Sequence, residues 1–428
     1  MAFWFAVDLG NKRRLEQARA EFISLGGYES WDAYANRASR LPDEDNILKH
    51  PYFTQPKLNE TIESAISIPG TDKAWFRKDS NDPRIPAIGT SLANDSLEAI
   101  WPKVLKQRNS SETLYLSALE ALARGEIDIY QAEAMHSLEY VSTITSTSKL
   151  LRFHILCDFR EGKIERPKAA IKELLKLSTE LANRRNSDLM LNSLLAKNIK
   201  SLCLQTLVEG ENYQDFSSAE LRALEPLFKI PVRGLLRDIC IESNQFYLEL
   251  QSPEQVTNID YSRLRPPSFD QGILSYMVIC LNEQIKVFDQ SQGEVTSSEL
   301  ISLGRATTRP ALWPFTEEYD VAAGLSDPSA GYLLDILSEN SASRVQWAIL
   351  SYYSRNRAWP SKLAQLSPDY LETIPLNPRT GAPFDYILNA RGNPEFKVKD
   401  EVWAVRSDTE REQLYQDTKA GRSRRSYP

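Results

Sequence analysis

The sequence predicts a mainly α-helical protein: stacked helical hairpins followed by a small C-terminal α+β module with a short antiparallel sheet. Three observations predict it. From Asn94 onward, apolar residues recur at the three-and-four spacing of one helix face, punctuated by Gly and Pro. The stretch 341–386 then passes from helix through turn to strand in clear succession. With 428 residues, 42% of them hydrophobic, the chain is long enough to fill the cores of two or three domains.

Taken in order, Leu15, Ala18, Phe22 and Leu25 form one stripe of a first helix over 11–25, and Gly26-Gly27 permit the left-handed conformation at its end. From Trp31 to about Leu92 periodicity fails and prolines accumulate, which predicts an irregular segment with at most short helices. Helices are predicted over Leu114–Leu122, Tyr130–Tyr140, Leu150–Phe159, around Ile171–Leu177, and over Leu189–Leu207. Ser217-Ser218-Ala219-Glu220 fits a capping box and marks a helix start. Leu235 to Leu250 form a long helix after Pro231, and Ile273 to Leu281 one so apolar that a central place is expected. Residues 252–270 and 290–330 have the composition of surface connections.

In the last part, Val345, Ala348, Ile349, Tyr352 and Tyr353 line one face of a helix that ends near Ala358, ahead of Pro360. Leu363, Leu366, Tyr370 and Leu371 make an apolar turn, and Phe384, Tyr386 and Leu388 alternate as a strand does. Further short strands are expected from Phe396 to Val405 after the turn at 389–393. Trp359 and Tyr386 are expected to be largely buried against the helix. The chain thus divides into an N-terminal helix (1–27), a wrapping segment (28–93), a helical domain (94–330), a C-terminal module (331–406) and a tail (407–428).

A formal charge of −7 lacks the basic field of a polynucleotide binder. Cys157, Cys203, Cys240 and Cys280 lie in apolar helical surroundings with no C-x-x-C pair, so they read as small buried hydrophobes. Ala2 to Val7 are apolar and are followed by Lys12-Arg13-Arg14, which resembles the end of a membrane helix but is too short to be one. It reads either as a hydrophobic first turn packed on the body or as the remnant of an anchor.

Chemical motifs are sparse. Glu133-Ala-Met-His136, with Glu139 one turn further, has the Glu-x-x-His spacing of di-iron bundles, but neither other histidine, His50 or His154, supplies the second such pair. These three are weak candidates, and no metal or other cofactor is assigned. His154 sits with Leu150, Leu151 and Cys157 and reads as a core histidine. Asp43-Glu44-Asp45 lacks the alternation and glycine of a calcium loop. There is no G-x-S-x-G elbow, phosphate loop, H-E-x-x-H or G-x-G-x-x-G, so no catalytic residue is assigned.

The organising stretch nevertheless resembles a known module. Trp359-Pro360, Leu363, Leu366, Pro368, Tyr370-Leu371, Ile374-Pro375, Pro378, Thr380-Gly381, Pro383-Phe384 and Tyr386 are similar to the C-terminal globular segment of the major pseudopilins of type II secretion. The same module closes a group of uncharacterised membrane-anchored bacterial proteins. Those proteins are resembled further in Arg19 to Gly27, in Leu41 to Asn46, in Pro51-Tyr52-Phe53 and in Asp215 to Leu221. This chain has Asn377 where pseudopilins carry an aspartate, and their acidic loop has no clear counterpart at Gly392 to Glu395, so the resemblance does not carry calcium binding over. The methylated pilin helix is also missing, which argues against pilin-like polymerisation.

The resemblance implies a cell-envelope location, an N-terminal membrane anchor and an extracytoplasmic body. The resulting expectation is a non-catalytic binding or scaffold protein with a protein partner, membrane contact through the N-terminus and no nucleic-acid partner. The alternative is a hydrolase or other enzyme with a carboxylate-based site in a cleft between helices, for which Glu317, Glu318 and Asp320 are candidates.

Overall fold

A computed structural model describes residues 2–37, 41–67, 97–129, 139–183, 189–208, 215–228, 232–249, 267–290, 316–378, 380–398 and 401–404. The fold is mainly helical with a small antiparallel sheet near the C-terminus, as the sequence predicts. The wrapping segment contributes only short elements among the described residues: α2 (Trp31–Ala35), a 3-10 turn (Ile47–Lys49) and α3 (Leu58–Ile66).

The centre of the body is α6 (Glu139–Arg160), not the apolar helix at 273–281. It packs against α3, α4 (Leu97–Ser110), α5 (Glu112–Leu122), α7 (Glu165–Leu181) and α8 (Leu189–Val208). From Thr143 to Phe159 nearly every residue is buried, the polar ones included. Its small hydroxyls achieve this by bonding backward to their own helix: Thr143 to Glu139, Thr147 to Thr143 and Ser148 to Ile144, at 2.8–2.9 Å. Polar side chains that satisfy themselves locally hide a buried helix from a hydropathy reading.

α9 (Ser218–Phe228) starts at the predicted capping box. Ser217 Oγ accepts from the Glu220 amide at 3.2 Å, and Glu220 Oε2 accepts from the Ser217 amide at 2.8 Å. Hydrogen bonds from Lys168 and Ser217 pull the Glu220 carboxyl down to about 2. Ser217→Ala is expected to cost about 1 kcal/mol, the usual worth of an N-cap. A urea midpoint indistinguishable from the parent would contradict it.

The apolar helix α11 (Pro267–Gln290) instead joins α1 (Ala2–Ser24) and α10 (Val232–Glu249) in a second bundle. Phe22, Leu235, Leu236, Ile239, Leu281 and Ile285 form its core. A polar seam accompanies this pairing and is satisfied by it. Asn282 donates to the Ala18 carbonyl at 2.9 Å and accepts from Asn244 at 3.0 Å, while Lys286 pairs with Glu21 at 2.6 Å. The helix at 11–25 begins earlier than its stripe predicts, at Ala2. Its end is fixed by Gly26 at φ 90° and by Gly27, where a Cβ would meet the Phe22 ring at 2.4 Å. Tyr34 of α2 donates to Glu242 Oε1 at 2.7 Å and so ties α2 to α10.

α12 (Thr316–Asn356) is longer than predicted, because 316–330 continues the helix instead of forming a connection. Ala322, Ala323, Ala330 and the leucines beyond them favour helix strongly enough to carry it past Gly324 and Pro328. The helix stops at Asn356, and Arg357 takes a left-handed φ of 53°. A 3-10 turn (Leu363–Leu366) follows. The sheet has order β1 (Asp385–Leu388), β2 (Pro394–Val398), β3 (Glu401–Ala404), with Tyr386 opposite Phe396. Val345, Ala348, Ile349, Leu366, Leu371, Phe384 and Phe396 fill the module's core.

Trp359 and Tyr386 are half-buried, less than expected. Trp359 covers the Tyr353 ring at 4.1 Å from the rim, and the Tyr386 hydroxyl reaches out to donate to the Pro360 carbonyl at 2.6 Å. Both close the module at its edge instead of filling it. Among the described residues no helix is long and apolar enough to cross a membrane.

Candidate functional site

The densest group of chemically capable side chains lies where four helix ends meet. α4 ends in Arg108, with Ser111 just beyond; α5 begins with Glu112 and Tyr115; the last turns of α6 carry His154 and Asp158; Arg166 opens α7. Arg108 Nη2 donates to Asp158 Oδ1 at 2.5 Å. Arg166 Nη1 lies 2.9 Å from Glu112 Oε1, and its Nε 3.3 Å from Asp158 Oδ2. Asp158 and His154 are fully buried, whereas Glu112 and Arg166 keep about a third of their side chains in solvent (30% and 35%). The His154 ring stacks on Tyr115 at 4.3 Å, and Arg166 covers the Tyr115 ring at 4.9 Å.

Within this group Ser111, His154 and Glu112 stand in the order of a nucleophile, a base and an orienting acid. His154 Nε2 is 2.9 Å from Ser111 Oγ, and Nδ1 is 3.7 Å from Glu112 Oε2. Three facts argue against acyl-transfer chemistry. Ser111 is only 2% exposed, and its hydroxyl also faces the Gln107 and Arg108 carbonyls at 3.0 and 3.1 Å, to either of which its single proton can go. Nδ1 is too far from the carboxylate for a hydrogen bond. Finally, burial, then Arg108 and Arg166, hold the imidazole down at about 3, too weak a base to take a serine proton at neutral pH.

What the arrangement does is balance charge. Two guanidinium groups face two carboxylates around a neutral histidine, and Arg108 Nε, His154 Nδ1 and Asp158 Oδ2 are buried without a hydrogen bond. The cluster is therefore held by charge more than by directed bonds, and it ties α4, α5, α6 and α7 together. His154 makes it acid-sensitive. Its folded-state value lies below the ordinary 6.5, so the unfolded chain takes up a proton first as pH falls. Stability is expected to drop between pH 6.5 and about 3, by at most ~1.4 kcal/mol per pH unit from this residue. His154→Gln should flatten that slope in urea melts run across the range; an unchanged slope would exclude His154 as the cause.

Of the residues singled out from sequence, Glu139 lies exposed in the first turn of α6, while Glu133 and His136 lie outside the described residues. Asp43, Glu44 and Asp45 are exposed beside the first 3-10 turn. The side chains of Glu317, Glu318 and Asp320, in the first turns of α12, also lie outside the description. Among the described residues no three His, Cys, Asp or Glu side chains are placed to hold a metal ion. The four cysteines are buried, and none of them is in a disulfide. His154 is the core histidine its neighbours predicted. The arginine and carboxylate partners were missed, although Arg152, His154 and Asp158 inside the apolar run 150–159 were a readable sign of buried charge. Comparison with known protein families, with curated proteins and with solved structures finds no match for this chain.

Proposed function

We propose that the chain is a non-catalytic binding or scaffold protein of the cell envelope, and that it takes an extended segment of a partner protein along the β1 edge of its C-terminal module. The observation that carries this reading is a corner of exposed large apolar side chains. Leu376, Ile387 and Leu388 are 51%, 59% and 38% exposed. Leu376 bridges to Pro383 at the head of β1, and Ile387 and Leu388 lie on β1 itself. Among the described residues β1 pairs along its length only with β2, which leaves its other edge able to accept a strand. The charge-balanced cluster at the helix ends supports a structural body in place of a catalytic one. The envelope location rests on the resemblance of residues 341–386 to the pseudopilin module.

A photo-crosslinking residue at Ile387, introduced in the native cell, is expected to give one adduct of discrete mass in the envelope fraction. The same probe at Leu116, 51% exposed on α5, is the control. Equal labelling from both positions would remove the binding surface. A protein found in the soluble fraction and protected from external protease would remove the envelope role.

A further inference from the structure

The open edge of β1 is complementary to itself. The Asn389 amide donates to the Asn393 carbonyl at 2.8 Å, and the same register continues with Ile387 opposite Glu395 and Asp385 opposite Lys397. Every second residue of an antiparallel ladder exchanges backbone bonds with its partner, so Asn389, Ile387 and Asp385 bond toward β2. Tyr386 and Leu388 therefore turn their amides and carbonyls to the open edge. Pro394, which has no amide hydrogen to give, stands opposite Leu388, where the ladder calls for none. Edge strands are commonly guarded by lysine, proline or a bulge. β1 instead presents Ile387, 59% exposed, between two residues whose backbone groups face outward.

Taking β1 as the docking edge proposed above, on which this step rests, we infer that its occupant is the β1 strand of a second copy of this chain, antiparallel about a two-fold axis at Ile387. An axis perpendicular to the sheet keeps each face on its own side and sets Ile387 against Ile387, with Tyr386 of each copy against Leu388 of the other. The outward backbone groups then meet. Each Tyr386–Leu388 pair exchanges both bonds, on either side of a close Ile387 pair that exchanges none, and the two three-stranded sheets become one.

Neighbouring registers fit worse. An axis at Tyr386 sets Ile387 against the charged Asp385 and drives the second strand onto Pro383, where Leu376 already bridges. An axis at Leu388 sets Ile387 against Asn389 in the turn. With the axis at Ile387, Asp385, the one charged residue of β1, meets the neutral Asn389 of the second copy and lies toward its Arg391, so opposite charges approach and like charges do not. A contact built on one short strand is smaller than the roughly 800 Å² per partner of a standard interface, so a weak dimer is expected, with a dissociation constant on the order of 10–100 μM.

Sedimentation equilibrium of the full chain across that range tests the dimer. Ile387→Lys, which sets two ammonium groups on the axis, is expected to weaken it at least ~tenfold with the melting temperature unchanged, since Ile387 is exposed. Cysteine cross-linking reads the register. Ile387→Cys should give a disulfide-linked dimer with diamide as oxidant, because self-opposed residues of a non-hydrogen-bonded pair have Cα atoms about 4.5 Å apart, within disulfide reach. Leu388→Cys, displaced from the axis, and Leu116→Cys on α5 should link at least ~tenfold more slowly, and the native cysteines are buried. A chain that stays monomeric well above that concentration range, or a Leu388→Cys dimer formed as fast as the Ile387→Cys one, would overturn the second copy as occupant. In the cell, a photo-adduct from Ile387 of twice the chain mass supports it. An adduct of another mass removes this partner and leaves the edge a docking site, whereas labelling no stronger than at Leu116 removes the edge itself.

Discussion

Lys200→Met is expected to stabilise the protein, by roughly 3–5 kcal/mol at pH 7. The folded chain buries this amine on α8 and holds it at about 7 while the unfolded chain holds it near 10.5, so between those values the unfolded state binds a proton that the folded state lacks. Folding is penalised by ~1.4 kcal/mol for each pH unit of that gap, and the penalty is at its full size at and below the folded value. Methionine fills a similar volume and carries no charge to lose. The Phe228 carbonyl, which accepts from the amine at 3.3 Å in the parent, is orphaned and offsets part of the gain, by about 1 kcal/mol. Two signatures belong to this mechanism. The parent should gain stability as pH rises from 7 toward 10, and the variant should not, so the two urea midpoints converge at high pH. A variant no more stable than the parent at pH 7, at equal m-value, would mean the amine is charged and solvated in the fold.

The opposite effect is expected at Asp158. Asp158→Ala should cost about 3–5 kcal/mol, because it strands Arg108 in a buried position with its nearest charge removed and weakens the hold on Arg166. The penalty comes from a buried guanidinium left with only the longer 3.9 Å pairing to Glu112, more than from the lost bond. Arg108→Met added to the same chain should therefore return a large part of the stability. A loss below about 1 kcal/mol for the single variant, or no recovery in the double, would show that the ion pair is screened by solvent.

Much of the architecture was legible because it obeys local rules. The stripe Leu15, Ala18, Phe22, the box Ser217 to Glu220 and the alternation at Phe384 and Tyr386 each follow from one element's own periodicity or capping chemistry. The misplaced parts depend on partners far away in sequence. α6 is central because Thr143, Thr147 and Ser148 bond backward and Asp158 meets Arg108 fifty residues earlier, and no window of sequence contains both halves of that pair. α11 looked central on hydropathy, yet Asn282 binds it to Ala18 across 264 residues. The candidate site was hidden for the same reason, since its charges come from four helix ends that only the fold brings together. Trp359 and Tyr386 were overread: a large aromatic ring signals contact, but a ring at a module's rim makes contact on one side only.

The 41-residue α12 has a thermodynamic consequence. Ile336 and Leu337 belong to the core shared by α1, α10 and α11; Trp347 and Leu350 belong to the core around α6; Ala342, Val345, Ala348 and Ile349 belong to the core beneath the sheet. One rod thus serves as a wall of three separate hydrophobic compartments, and a break in it exposes all three to water together. Amide protons from Ile336 to Ser354 should accordingly exchange with solvent only in the rare event that unfolds the whole chain. Small-domain intermediates in which the C-terminal module opens while the body persists should leave no trace in native-state exchange, and calorimetric melting should run as a single transition.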